Sequence, residues 1–271
     1  MTKIASHIAG AALASLLPLA AAQAACPPDG IEVIACNYPT LQAAVDAAIR
    51  ADLPLLLPHG FYQGPVTIDY TPNASTGFEL ISRGATIYGG MAIQCEGSCF
   101  YFHQEGTLFV TGQTKGPLVV IGKPDFSDAH NSMKIDHLIV NNGATTGATG
   151  VQLNYVLDSD LYIVADAAGG IGLDVRQLQF SVLKGSMSGG TGYAMTIRDG
   201  YVSANSFLSL DQEASAGCLA MLSPHTNGNT WVSTYQDCDS SGVLSQSAMT
   251  GLGAIGGVSG GAIKQPYKEI P

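Results

Sequence analysis

From about residue 136 onward, apolar and polar positions alternate in short runs, each closed by a cluster of Gly, Ser, Asn or Asp. That period-two pattern predicts β-strands separated by turns. The runs also resemble one another. DHLIVNNGATTGATGVQL, DLYIVADAAGGIGLDV, FSVLKGSMSGGTGYAM, VSANSFLSLDQEASAGCL and TNGNTWVSTYQDCDSSGV share one order of features and close on Gly150, Gly172, Gly192, Gly217 and Gly242. Those glycines lie 22, 20, 25 and 25 residues apart. Neither a leucine and asparagine ladder nor sustained 3.6 periodicity is present, which excludes leucine-rich and helical repeats. Several short strands per repeat predict a β-solenoid: coils stacked about 4.8 Å apart, with parallel sheets along the sides of a rod. In this frame Trp231 occupies the position of Phe207, which assigns both to the core.

One segment breaks the strand pattern. TLQAAVDAAIRAD, residues 40–52, opens on Thr40 as an N-cap and sets Leu41, Ala44, Val45, Ala48 and Ile49 on one helical stripe. Such a helix is expected to cover the open end of the solenoid, where core and strand edges would otherwise meet water. Leu55–Leu57 then reads as a buried strand, Pro58–Gly60 as a turn and Val66–Tyr70 as a further strand. Less regular coils follow over 64–130, and the insertion at 122–133 is the longest polar break. These features divide the chain into a segment 26–39, a β-helix 40–250 and a Gly-rich tail 251–271 that covers the last coil or lies beside it.

The run Ala43–Ile68, with its helix, apolar strand, Pro58-x-Gly60-x-Tyr62 turn and alternating strand, resembles the start of the pectate-lyase-like superfamily of single-stranded right-handed parallel β-helices. The coils beginning Asn205-Ser206-Phe207 and Asn229-Thr230-Trp231 are similar to those of tailspike-type β-helices. The resemblance covers most of residues 40–250. It implies an all-β, right-handed parallel β-helix that acts on or recognises polysaccharide as a lyase or glycoside hydrolase, with calcium as the associated cation and side-by-side trimers as an assembly. Fold likeness alone does not license a reaction.

Residues 1–25 carry one early lysine, an Ala/Leu core and a small-residue end, as in a secretory signal peptide, and predict an exported protein, extracellular or periplasmic. Gln23 stands where a lipobox has Leu, which favours a plain signal over lipidation. The six cysteines fall in close pairs, Cys26 with Cys36, Cys95 with Cys99 and Cys218 with Cys238, and an oxidising compartment predicts three local disulfides. Cys95 and Cys99 have only His103 nearby, which is not a zinc set. Charged residues are 12% of the chain and the net charge is −10, so neither nucleic acid nor an anionic membrane is an expected partner, and a strongly acidic polysaccharide is a poor one. After residue 25 no apolar span is long enough to cross a bilayer. Asn73-Ala74-Ser75 is a glycosylation triplet.

Counting from each landmark glycine, alternation points Val151, Leu153, Leu173, Val175, Tyr193, Met195, Cys218, Ala220, Val243 and Ser245 inward. It points Gln152, Asn154, Asp174, Arg176, Ala194, Thr196, Leu219, Met221, Leu244 and Gln246 outward. The apolar end of that outward set predicts a contact patch, buried either in a trimer or under the tail. Asp174, Arg176, Arg198 and Asp199 are the candidate catalytic group, because β-elimination needs a base and a cation beside a uronate carboxylate. Gln152, Asn154 and Tyr201 are the matching substrate-binding candidates. Hydrolysis would need paired carboxyls, and Asp158 with Asp160 or Asp237 with Asp239 are the sequence pairs for it, though such residues more often shape turns. Tyr62, Tyr88, Phe100, Tyr101 and Tyr235 are further aromatics for stacking on sugars, whereas Trp231 is assigned to the core by its coil position. His59, His103, His130, His137 and His225 read as loop or surface residues. Short turns and sparse charge point to a second class of function, a non-catalytic surface β-helix that binds glycan or assembles with partners.

Overall fold

The computed structural model describes residues 26–271 apart from 224, 233–234, 239–241, 246–251, 257–258, 261–267 and 271. The expected signal peptide, Asp239 and Gln246 lie outside the described residues.

Leu41–Ala51 is the α-helix of the described chain, and Thr40 caps it as expected, its Oγ1 accepting from the Ala43 amide at 3.1 Å. Leu41, Ala44, Val45, Ala48 and Ile49 are buried, so the sequence stripe is the buried face. Gln42 does a second job. Its side-chain amide donates to the Thr67 carbonyl at 2.9 Å and accepts from the Thr67 amide at 2.8 Å. Val66–Asp69 is the edge strand of its sheet, and the Gln42 amide satisfies polar groups that an open edge would leave bare.

Beyond the helix the chain winds through three parallel sheets, of thirteen, nine and six strands among the described residues. The first sheet runs from Val33–Ile34 through Leu55–Leu57, Phe78–Tyr88, Phe102–Gly112, Lys134–Asn142, Asp160–Ala167, Val182–Gly189 and Ser206–Ala214 to Asn229–Val232 and Leu252–Gly256. The second runs from Val66–Asp69 to Lys268–Ile270, and the third, of short strands, from Gly97–Phe100 to Thr226–Asn227. Equivalent residues stack from coil to coil: Leu161 pairs with Leu183, Leu183 with Phe207, and Phe207 with Trp231. Phe207 and Trp231 are buried and their rings stack at 4.0 Å.

At the corner leading into the first sheet, a column of small polar residues ties the coils together. Asn229 Oδ1 accepts from the Asn205 amide and side chain, Asn205 Oδ1 from the Ser181 amide, and Ser181 Oγ from the Ser159 amide. The recurrent Asn before each aromatic in the two most similar coils is therefore a buried turn ladder.

The structure departs from the sequence pattern in two places. Asp128–Asn131, inside the expected insertion, is a strand of the third sheet paired in register with Gly97–Phe100, and only the residues before it loop out. Its alternation was hidden because the side chains it buries, Asp128 and His130, are polar. The apolar outward patch does not form either. Met195 pairs with Leu219 and Ile197 with Met221, so the glycine frame slips by one residue between these coils. A slip of one turns every side chain to the other face. Leu219 and Met221 are core residues, 3% and 1% exposed. The tail contributes strands too, since Leu252–Gly256 pairs with Asn229–Val232 and Lys268–Ile270 with Gly242–Ser245.

Candidate functional site

The second sheet brings the expected catalytic group together. Asp174 pairs in register with Thr196, which places Arg176 and Arg198 on neighbouring coils at the same corner. Arg198 Nε and Nη2 donate to the two Asp174 carboxylate oxygens at 2.9 and 2.7 Å, and Gln152 Nε2 donates to the same carboxylate at 2.8 Å. Arg176 Nε donates to Asp199 at 2.7 Å, its Nη1 donates to the Pro124 carbonyl at 3.2 Å, and its guanidinium lies over the Phe126 ring at 5.0 Å. Each acid is thus committed to an arginine. Asp174 is 1% exposed, and the Asp174 hydrogen bonds raise the Arg198 pKa further above its ordinary value. A lyase base must be free to take a proton, and both arginines, to which the resemblance would give that role, are held in ion pairs.

Of the expected sugar-contacting residues, Gln152 is spent on Asp174. Asn154 is fully buried and donates to the Gly122 carbonyl at 2.6 Å, so it lines no surface: the strand ends at Leu153 and the next side chain turns into the corner. Tyr201 is half exposed and stacks on His225 with centroids 4.6 Å apart. Asn73 is also buried and its amide is donated to Asp52, which leaves no acceptor for a glycan.

His130 is the exception among the histidines. It is fully buried, where a surface position was expected, with Nδ1 2.7 Å from the Tyr70 hydroxyl and Nε2 3.0 Å from Asp128 Oδ2. Burial pushes the Asp128 carboxyl up, but hydrogen bonds from His130 and the Lys123 and Cys95 amides outweigh it and hold the group below the usual range. Burial, with the Asp128 charge, pushes the Tyr70 phenol well up. An ionised Asp128 accepts from Nε2–H, and Nδ1 faces the Tyr70 hydroxyl. No solvent reaches this relay, and its chemistry is structural.

Calcium, implied by the resemblance, does not fit the candidate catalytic group among the described residues. A cation at Asp174 or Asp199 would meet a fixed guanidinium. The ligand atoms that do converge among the described residues belong to Cys95, Asp128 and His130, inside the core. Cys95 is disulfide-bonded to Cys99, and calcium takes about six to eight oxygens. The other two expected disulfides, Cys26–Cys36 and Cys218–Cys238, also form.

The outward face of the first sheet carries a column that the sequence did not single out, beside Tyr88, which it did. Phe61 pairs with Thr86 and Thr86 with Phe109, so the two phenylalanines stand in one column two coils apart. They are 81% and 38% exposed. Ile139 and Val164 continue the column, with the exposed rings of Tyr88 and Tyr162 to either side. The signal was parity: Leu108 and Val110 point inward, which leaves Phe109 outside, and Tyr62 packs on the core while Phe61 does not. At the helix end, Phe61 meets a cavity of about 850 Å3 that Tyr38, His59 and Tyr62 also line.

The cations beside the column are already paired. Arg83 lies 3.5 Å from Glu105, Lys134 lies 3.0 Å from Asp136, and Lys184 lies 3.0 Å from Asp160. Further along the rod, Glu213 pairs in register with Asp237, both exposed, beside a depression of about 390 Å3. Asp237 thus has Glu213 as its carboxylate neighbour.

No protein-family model matches the chain, and no curated protein matches it in sequence. Three solved structures are similar at low identity. The Geobacillus virus E2 ORF18 protein aligns with a TM-score of 0.47 and 13% identity, over 76% of this chain and 42% of its own, so this chain spans less than half of that protein. The pectate lyase Pel9A aligns with a TM-score of 0.44 and 12% identity, over 81% of this chain and 73% of its own. The Dettilon tailspike protein gp208 gives 0.26 and 10%, over 88% and 68%. Three parallel sheets, a register carried from coil to coil and one capping helix make this chain a right-handed parallel β-helix.

Proposed function

We propose that this protein is an exported polysaccharide-recognition rod, binding glycan on the outward face of its first sheet rather than cleaving it at the arginine and aspartate cluster. The observation that carries this reading is the exposed column of Phe61 and Phe109, continued by Ile139 and Val164. The axial C–H face of a pyranose is apolar and packs on an aromatic ring, while its equatorial hydroxyls need polar neighbours. Thr111 and Asn141 border the column and supply them. Large exposed apolar patches mark contacts. Three disulfides accord with an oxidising compartment, and no helix among the described residues is long and apolar enough to cross a membrane.

A second reading, hydrolysis, rests on Glu213 and Asp237. Neighbouring strands are about 4.8 Å apart, close to the roughly 5 Å between the carboxyls of retaining glycosidases. One experiment separates the two. The protein is incubated with neutral and acidic polysaccharides, and retention, new reducing ends and unsaturated products are followed together. Retention without product supports recognition. New reducing ends lost in Glu213→Gln make it a hydrolase, and unsaturated products lost in Arg198→Ala would return the lyase.

A further inference from the structure

Phe61 and Phe109 are separated by one coil, and the residue between them in the column is Thr86, which carries no ring. Aromatic faces therefore recur at two strand spacings, about 9.6 Å. A chain of β-1,4-linked pyranoses leaves each ring through equatorial bonds. It is extended, and each sugar advances by about one strand spacing, roughly 5 Å. Successive sugars are turned over by half a rotation, so the same ring face returns at every second sugar. An α-1,4-linked glucan, with one axial and one equatorial bond at each ring, coils and does not repeat its face in this way.

Charge narrows the class further. Arg83, Lys134 and Lys184 beside the column are held by Glu105, Asp136 and Asp160. A uronate carboxylate lying there would meet an acid beside each of these cations, on a protein of net charge −10. Resting on the recognition reading above, we infer that the ligand is a neutral, extended β-1,4-linked glycan lying along the rod axis, with one sugar per coil and every second sugar stacked, on Phe61 and then on Phe109.

The length of ligand needed follows from the geometry. Sugars n and n+2 must both be present, so a trisaccharide is the shortest ligand that reaches both rings. Calorimetric titration with cello-, manno- and chito-oligosaccharides of two to six units is the test, with maltohexaose and oligogalacturonate as comparators. In at least one β-1,4 series, affinity is expected to rise about tenfold from two units to three, the size of one added aromatic contact, and little per unit beyond. Phe61→Ala and Phe109→Ala each remove that step, while Phe180→Ala, an exposed ring off this face, keeps it. Equal or tighter binding of maltohexaose or oligogalacturonate overturns the inference and leaves polysaccharide recognition standing. Binding to none of these, with no retention on any polysaccharide, overturns both. An oligomer in light scattering that dissociates in Phe109→Ala also overturns it, since the face would then be a subunit contact.

Discussion

Arg198 reaches across one coil and holds the buried Asp174 carboxylate through two hydrogen bonds, 2.9 and 2.7 Å long. The pair is asymmetric, because the arginine side chain is 44% exposed and the aspartate 1%. Removing the arginine strands a desolvated carboxylate that keeps only Gln152. Arg198→Ala is expected to lower stability by about 1–3 kcal/mol in urea unfolding, and Arg198→Ala with Asp174→Asn to recover part of it. Glycan retention should stay unchanged in both.

Phe207 and Trp231 stack within the core at an interplanar angle of 12°. Phe207→Ala leaves a cavity above Trp231 and between coils that cannot collapse without shifting the ladder. A loss of about 3–5 kcal/mol is expected, with Trp fluorescence reporting the change before unfolding.

Cys218–Cys238 closes a loop of 20 residues and joins the second sheet to the first. Its replacement by alanines is expected to cost about 2–4 kcal/mol. Loss of Cys95–Cys99, which spans only 4 residues, should cost less. Thermal unfolding of the two double variants ranks them.

The buried relay predicts both limbs of the pH profile. Asp128 has its pKa lowered on folding, so its contribution is present above the ordinary 3.8 and is lost as pH falls through the folded value. Tyr70 has its pKa raised from 10.0, so its contribution is present below pH 10 and is lost as pH rises beyond it, where the unfolded phenol ionises and the folded one does not. Urea unfolding across pH should show a shallower acid limb in Asp128→Asn and a shallower alkaline limb in Tyr70→Phe, each relative to the native chain.

Much of the architecture was legible because alternation, turn residues and the Thr40-capped stripe all follow from local chemistry. Register was not, since Gly217 opens its strand while Gly192 precedes one, and glycine marks a turn without fixing which side chain follows it inward. The strand at Asp128–Asn131 stayed hidden because hydrogen bonds, not apolar area, justify burying His130. The charged cluster was found as a set, and its self-neutralisation was visible only once Arg198 and Asp174 lay on adjacent coils. The aromatic column was invisible for the same reason: Phe61 and Phe109 are 48 positions apart and meet only through the stacking of coils.

The most direct test is affinity electrophoresis of the native protein and of the Phe61→Ala, Phe109→Ala double variant in gels containing neutral β-1,4-linked polysaccharides. At least one of these gels is expected to retard the native protein, and the folded double variant is expected to run as it does in plain gel. Equal retardation of the two would place recognition elsewhere on the rod and contradict a role for this aromatic column.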